Sequence, residues 1–101
     1  MLKIEKTMDN GVLNVALEGR LDTTTAPQLE GELREAVDGA DRLELDLKKL
    51  EYISSAGLRV LLSAQKLMGK KGGMTLRHVS ETIMEIFEVT GFVDILDIEN
   101  A

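Results

Sequence analysis

Ser54 and Ser55 stand directly ahead of a run that opens with small residues and turns apolar: Ala56-Gly57-Leu58-Arg59-Val60-Leu61-Leu62. Two chemistries suit a serine there. Serine is a favoured helix N-cap, because its oxygen accepts from first-turn amides that have no intrahelical partner. The same amides and the positive end of the helix dipole also welcome a phosphate. A phosphoserine would add about −1.5 to −2 charges to the surface. On the residues alone, plain cap and phosphorylated switch both stay open.

Helical spacing assigns the faces of this segment. Ser55, Arg59, Ser63, Lys66 and Lys70 form one polar stripe, whereas Leu58, Leu61, Leu62 and Leu67 are expected to point toward a sheet. Val60 and Ala64 fall at the margin, where they would offer apolar contact to a partner. Gly57 is expected to allow close helix–sheet packing.

Other chemistries lack their parts. His78 is the single histidine and closes the line Met74, Leu76, His78 on one strand face, a structural position. Ser54-Ser55-Ala56-Gly57 is not a nucleophile elbow of the Gly-x-Ser-x-Gly kind. One histidine with scattered carboxylates is no metal site, and no phosphate loop or dinucleotide fingerprint occurs. Glu44 and Asp46 belong to the outward alternation of a strand and do not form a phospho-acceptor pocket. With no catalytic set, the chain reads as a binding module and not an enzyme, and no cofactor is called for.

The elements that must hold the serines follow from periodicity. Leu2, Ile4, Lys6 and Met8 alternate with Lys3, Glu5 and Thr7, and Leu13, Val15 and Leu17 with Asn14, Ala16 and Glu18. Asn10-Gly11 between them favours a tight hairpin. Leu29, Leu33, Ala36 and Val37 mark a helix, with a capping-box spacing at Thr25 and Gln28, Pro27 in the first turn, and Gly39 to end it. Leu43, Leu45 and Leu47 make a strand with a charged reverse side, so the helices are expected mainly on one face. That strand is expected to end near Leu47, with a loop over Leu50 to Ser54.

The helix from Ser55 or Ala56 to Met68 comes next, then a strand over Met74 to Val79. A helix capped by Ser80 and ended by Gly91 follows, and the tail from Asp94 to Ile98 is left as strand or extended segment. Met1, Met8, Met68, Met74 and Met84 are expected as core filler. The class is α/β, a mixed sheet of an N-terminal antiparallel hairpin plus parallel strands with about three helices.

Totals bound the rest. With 101 residues the chain, residues 1–101, is one domain. A net charge of −6 weighs against a direct nucleic-acid partner. Cysteine is absent, so no disulfide framework exists. Leu2-Lys3-Ile4-Glu5-Lys6 is not a signal peptide, and no run approaches a membrane span, so a cytoplasmic address without membrane insertion is expected.

Gly19-Arg20-Leu21-Asp22 after the hairpin, the leucine-alternating strand, Ser54-Ser55-Ala56-Gly57-Leu58, and Ser80 through Gly91-Phe92 occur in an order that resembles the STAS family. The resemblance is closest to the small bacterial anti-sigma-factor antagonists of sporulation and stress responses, and it covers essentially the whole chain. It implies a STAS-like sheet and regulation of transcription by partner switching. Unphosphorylated, such a protein binds an anti-sigma factor that is also a serine kinase; phosphorylation releases it, and a serine phosphatase resets it.

The resemblance maps the acceptor onto Ser55, and onto a docking surface of Asp22, Thr23, Thr24, Ser54, Ser55, Ala56, Gly57, Arg59, Val60 and Ser63. Sporulation-type members have aspartate immediately before the acceptor, where this chain has Ser54, so Ser54 stays the alternative acceptor. The family also contains unphosphorylated accessory subunits of membrane transporters, such as lipid-transport ATPase complexes, and that alternative is kept. A weak homodimer is a further partner arrangement.

Overall fold

Asn10 and Gly11 adopt φ of 51° and 82°, the left-handed pair that a two-residue hairpin requires. In the computed structural model, which describes residues 2–99, this turn joins β1 (Leu2–Asp9) to an antiparallel β2 (Val12–Leu21). The chain continues through α1 (Ala26–Ala36), a 3-10 turn (Val37–Gly39), β3 (Arg42–Ile53) and α2 (Ser55–Met68). It then forms β4 (Met74–Arg77), α3 (Glu81–Thr90), a second 3-10 turn (Phe92–Asp94) and β5 (Ile98–Glu99). The sheet order is β1-β2-β3-β4-β5, and every pair after the hairpin is parallel. The mixed α/β architecture expected from periodicity is the one observed.

One face of the sheet is dry. Leu13, Val15, Leu17, Leu43, Leu45, Leu47 and Leu76 are buried under the helices. The reverse face is wet and paired by charge: Arg77 Nη1 meets Glu44 at 2.9 Å and Nη2 meets Glu99 at 3.6 Å.

Several expectations need correction. β3 runs on to Ile53 and does not end near Leu47. Its register against β2 slips twice: Ala16 pairs with Asp46 but Glu18 with Lys49, and Gly19 pairs with Leu50 but Arg20 with Tyr52. Each slip places one extra residue on β3, a bulge. The bulges convert the buried spacing of two (Leu43, Leu45, Leu47) into a spacing of three (Leu50, Ile53) without leaving the sheet.

β4 stops at Arg77, and His78 lies outside it with a left-handed φ of 56°. Its Nδ1 sits 3.0 Å from Asp46 Oδ1 on the wet face. Burial would raise the Asp46 pKa, but the Lys48 N–H and His78 hold it below the ordinary value. Met8 is 47% exposed and fills no core; Met68 and Met74 are buried as expected, and Met1 lies outside the described residues.

Candidate functional site

The parallel pairing of β2 and β3 brings two junctions together at one edge of the sheet. Leu21 ends β2 in register with Ile53, which ends β3. Ser54 N–H then donates to the Leu21 carbonyl at 2.9 Å. The β2–α1 loop and the start of α2 are therefore neighbours, because side-by-side parallel strands finish at the same edge.

Asp22 orders the first junction. Its Oδ1 accepts from Thr24 N–H at 3.0 Å, Thr24 Oγ1 at 2.7 Å and Thr25 N–H at 3.2 Å. The Thr24 hydroxyl, more than any other neighbour, holds the Asp22 carboxyl below its ordinary pKa; the backbone amides of Thr25 and Thr24 add to it. Thr25 is buried, and its hydroxyl donates to the Arg20 carbonyl at 2.8 Å while accepting from Asp22 N–H at 2.9 Å. The capping box expected from Thr25 and Gln28 does not form. Thr25 has spent its oxygen closing the loop, and the Asp22 carboxylate satisfies the amides of Thr24 and Thr25. Thr23 and Thr24 are exposed beside it.

At the second junction the two serines separate. Ser54 is the N-cap of α2, extended at φ −96° and ψ 175°, with its Oγ accepting from Gly57 N–H at 3.4 Å. Ser55 is the first helical residue and is exposed. Among the described residues its hydroxyl makes no hydrogen bond. Ala56 is half-buried beside it. Gly57 is buried, and a Cβ there would fall 2.7 Å from Leu21 Cγ, 2.8 Å from Ile53 Cγ1 and 3.0 Å from the Leu21 carbonyl oxygen. The absence of a side chain at Gly57 is what lets α2 start this close to the strand ends.

Farther along α2, Arg59, Ser63 and Lys66 form the exposed ridge expected from their spacing, while Lys70, expected on the same stripe, is exposed in the turn after the helix ends at Met68. Two flanking expectations fail. Val60 is 6% exposed and Ala64 is buried, whereas Leu67, expected against the sheet, is 45% exposed. α2 packs on α1 as well as on the sheet, so its buried arc extends round to Val60 and Ala64. Leu67 stands about 120° round the helix from Leu61 and falls outside that arc. Gly57 and Val60 thus shape the site from below, and neither presents a side chain at its surface.

Two residues outside the expected set stand at the same edge. Arg20 and Tyr52 are register partners one position before Leu21 and Ile53, and the guanidinium carbon lies 4.5 Å from the Tyr52 ring centroid. The apolar spacing of three after Leu47 is not a strand period, so no local signal placed Tyr52 on a strand; the bulged register against β2 does. Among the described residues, no three His, Asp or Glu side chains are placed to hold a metal ion.

Comparison with known proteins agrees with this geometry. The profile of a family described as "Mlab, STAS domain" matches residues 4–97. BtrV of Bordetella bronchiseptica, to which an anti-sigma factor antagonist role is attributed, is 43% identical over 99 residues, covering 94% of this chain and 85% of its own. The anti-sigma-B factor antagonist of Bacillus subtilis is 30% identical over 98 residues, covering 96% and 90%. The crystal structure of an anti-sigma factor antagonist from Mycobacterium paratuberculosis superposes with a TM-score of 0.88 at 25% identity, covering 97% of this chain and 85% of that one. The hairpin-led mixed sheet, the serine-opened α2 and the span of the matches together place the chain in the STAS-domain family.

Proposed function

We propose that this chain is an anti-sigma factor antagonist working by partner switching in the cytoplasm. Unphosphorylated, it binds an anti-sigma factor that is also a serine kinase; phosphorylation of Ser55 releases it, and a serine phosphatase resets it. The observation that carries this reading is the division of labour between the serines. The Ser54 oxygen is held to Gly57 N–H, while Ser55 is exposed at the first position of α2 with its hydroxyl uncommitted. Its relatives bear antagonist names. It acts by binding and is not an enzyme.

The release step follows from charge. A phosphate on Ser55 meets the first-turn amides of α2, so the fold accommodates it. At a close-packed interface the same group adds bulk and about −1.5 to −2 charges, and an uncompensated charge there is costly. The ordered loop of Asp22, Thr23 and Thr24 flanks the acceptor, and Arg59 and Ser63 continue the surface along α2.

The test uses purified kinase-type anti-sigma factors from the source genome. Titration with the wild-type chain is expected to give binding, and ATP is expected to place one phosphate on Ser55 by mass spectrometry. Ser55→Asp should weaken binding at least about tenfold. Full binding by that variant, or phosphate on Ser54 alone, would overturn the assignment.

A second reading is favoured by one departure, Ser54 in place of the aspartate that precedes the acceptor in sporulation-type antagonists. It makes the chain an unphosphorylated accessory subunit of a membrane transporter. No described helix is long and apolar enough to cross a membrane, so such a subunit would dock on the transporter. Co-purification with a permease and ATPase, with no phosphate on either serine under any growth condition, is the outcome that selects it.

A further inference from the structure

Arg20 and Tyr52 extend the edge that carries Ser55 onto the open face of the sheet. Their register pairing places both side chains on the wet side while Leu21 and Ile53 turn inward, and Tyr52 keeps 36% of its surface exposed. The Arg20 guanidinium lies over the ring, a cation–π stack. Its Nε faces Asp22 Oδ2 at 3.9 Å, and among the described residues no hydrogen bond engages its two terminal nitrogens. The guanidinium is therefore held in place by the ring and Asp22 while its fork stays open. Tyr52 precedes Ser55 by three residues, a stretch of chain that reaches at most about 11 Å.

From this we infer that Arg20 and Tyr52 form an anchor of the docking surface for the anti-sigma factor, one that receives a partner carboxylate set beside an aliphatic side chain. The inference rests on the antagonist reading above. Three observations choose this occupant. The pair is continuous with the acceptor edge through Leu21, Asp22 and Ile53. A pre-placed guanidinium fork matches the two oxygens of a carboxylate. A ring already covered on one side by Arg20 offers an apolar edge at little entropic cost, since tyrosine buries much area with two torsions to freeze. The stack on the ring holds an arginine whose own rotors are otherwise free, and both types are enriched at interface hot spots. The net charge of −6 makes a fixed cation at this edge the more selective, since an acidic partner surface is repelled elsewhere.

The anti-sigma factor that binds the wild-type chain in the titration above is the probe. Tyr52→Ala and Arg20→Ala are each expected to weaken it by at least about thirtyfold and tenfold respectively. Arg20→Lys, which keeps the charge but loses the planar stack and fork, should remain several-fold weak. Because Tyr52 is the only tyrosine in the chain, 3-fluorotyrosine incorporation gives a single fluorine resonance in otherwise unaltered protein. That signal should shift or broaden on addition of the partner. Binding of both alanine variants within twofold of wild type overturns the anchor and leaves the antagonist reading standing, as does an unmoved fluorine resonance in a saturated complex. If no anti-sigma factor binds the wild-type chain, the antagonist reading falls and the anchor with it.

Discussion

At the residue scale, one position separates a serine oxygen engaged with the backbone from one that, among the described residues, makes no hydrogen bond. Ser54→Ala removes the α2 N-cap and is expected to cost about 0.5–1 kcal/mol in urea unfolding, the low end of the range because the bond to Gly57 N–H is long at 3.4 Å. Ser55→Ala should change stability by less than about 0.5 kcal/mol while abolishing phosphorylation. Asp22 gives a pH signature. Its folded pKa is depressed, chiefly by the Thr24 hydroxyl, so the order it imposes is complete above its ordinary value of 3.8 and is lost as pH falls through the lower folded value. The Thr24 and Thr25 amide resonances should hold steady from neutrality to about pH 5 and move only in the acid range. In Asp22→Ala they should lack that titration altogether.

At the element scale, helix packing against strand ends sets what glycine may become. Gly57→Ala brings a Cβ within 3.0 Å of the Leu21 carbonyl oxygen and closer still to two core side chains, and backbone yields less easily than a side chain. A loss of about 1–3 kcal/mol is expected. Gly31, within α1 and with nothing in reach of an added Cβ, is the contrast: Gly31→Ala should raise stability by about 0.5–1 kcal/mol. Chemical denaturation of the two variants side by side checks both signs. β3 shows where local reading fails. Leu43, Leu45 and Leu47 announce a strand by alternation, but Leu50 and Ile53 break the period, and only the slipped pairing with β2 reveals that the strand continues through two bulges. The α1 cap fails similarly. Thr25 has the residue type and spacing of a capping box, yet its hydroxyl closes the Asp22 loop.

At the scale of the whole molecule, a single core underlies the acceptor edge and the opposite end alike. At that opposite end Lys71 Nζ donates to the carbonyls of Val37 at 2.7 Å, Ala40 at 3.0 Å and Asp38 at 3.3 Å, tying the chain after α2 to the turn that ends α1. Lys71→Met removes these bonds, but the Val37 carbonyl keeps Ala40 N–H and the Asp38 carbonyl is exposed to water, so global stability should fall by about 0.5–1.5 kcal/mol. Unfolding should stay a single transition, with far-ultraviolet circular dichroism and Tyr52 fluorescence coincident, because α1, α2 and the sheet share one core. The same shared packing explains Val60 and Leu67. A helix resting on a sheet alone buries one stripe, but α2 is also covered by α1, which draws Val60 and Ala64 inward and leaves Leu67 at the rim.

What the residues settled by themselves is what neighbours a few positions apart can settle: the Asn10-Gly11 hairpin, a serine cap opening α2, the Ser80 cap, the Gly91 stop, and the period of most helices and strands. Those signals are local because turns, caps and periodicity arise from backbone geometry within a turn or two of chain. Tertiary structure alone decided which serine oxygen is uncommitted, that the Asp22 loop lies beside Ser54, that Gly57 is pressed on Leu21, and that Arg20 stacks on Tyr52. Each of these depends on the register of β2 against β3 or on α1 covering α2, contacts between segments far apart in the chain that no local period encodes.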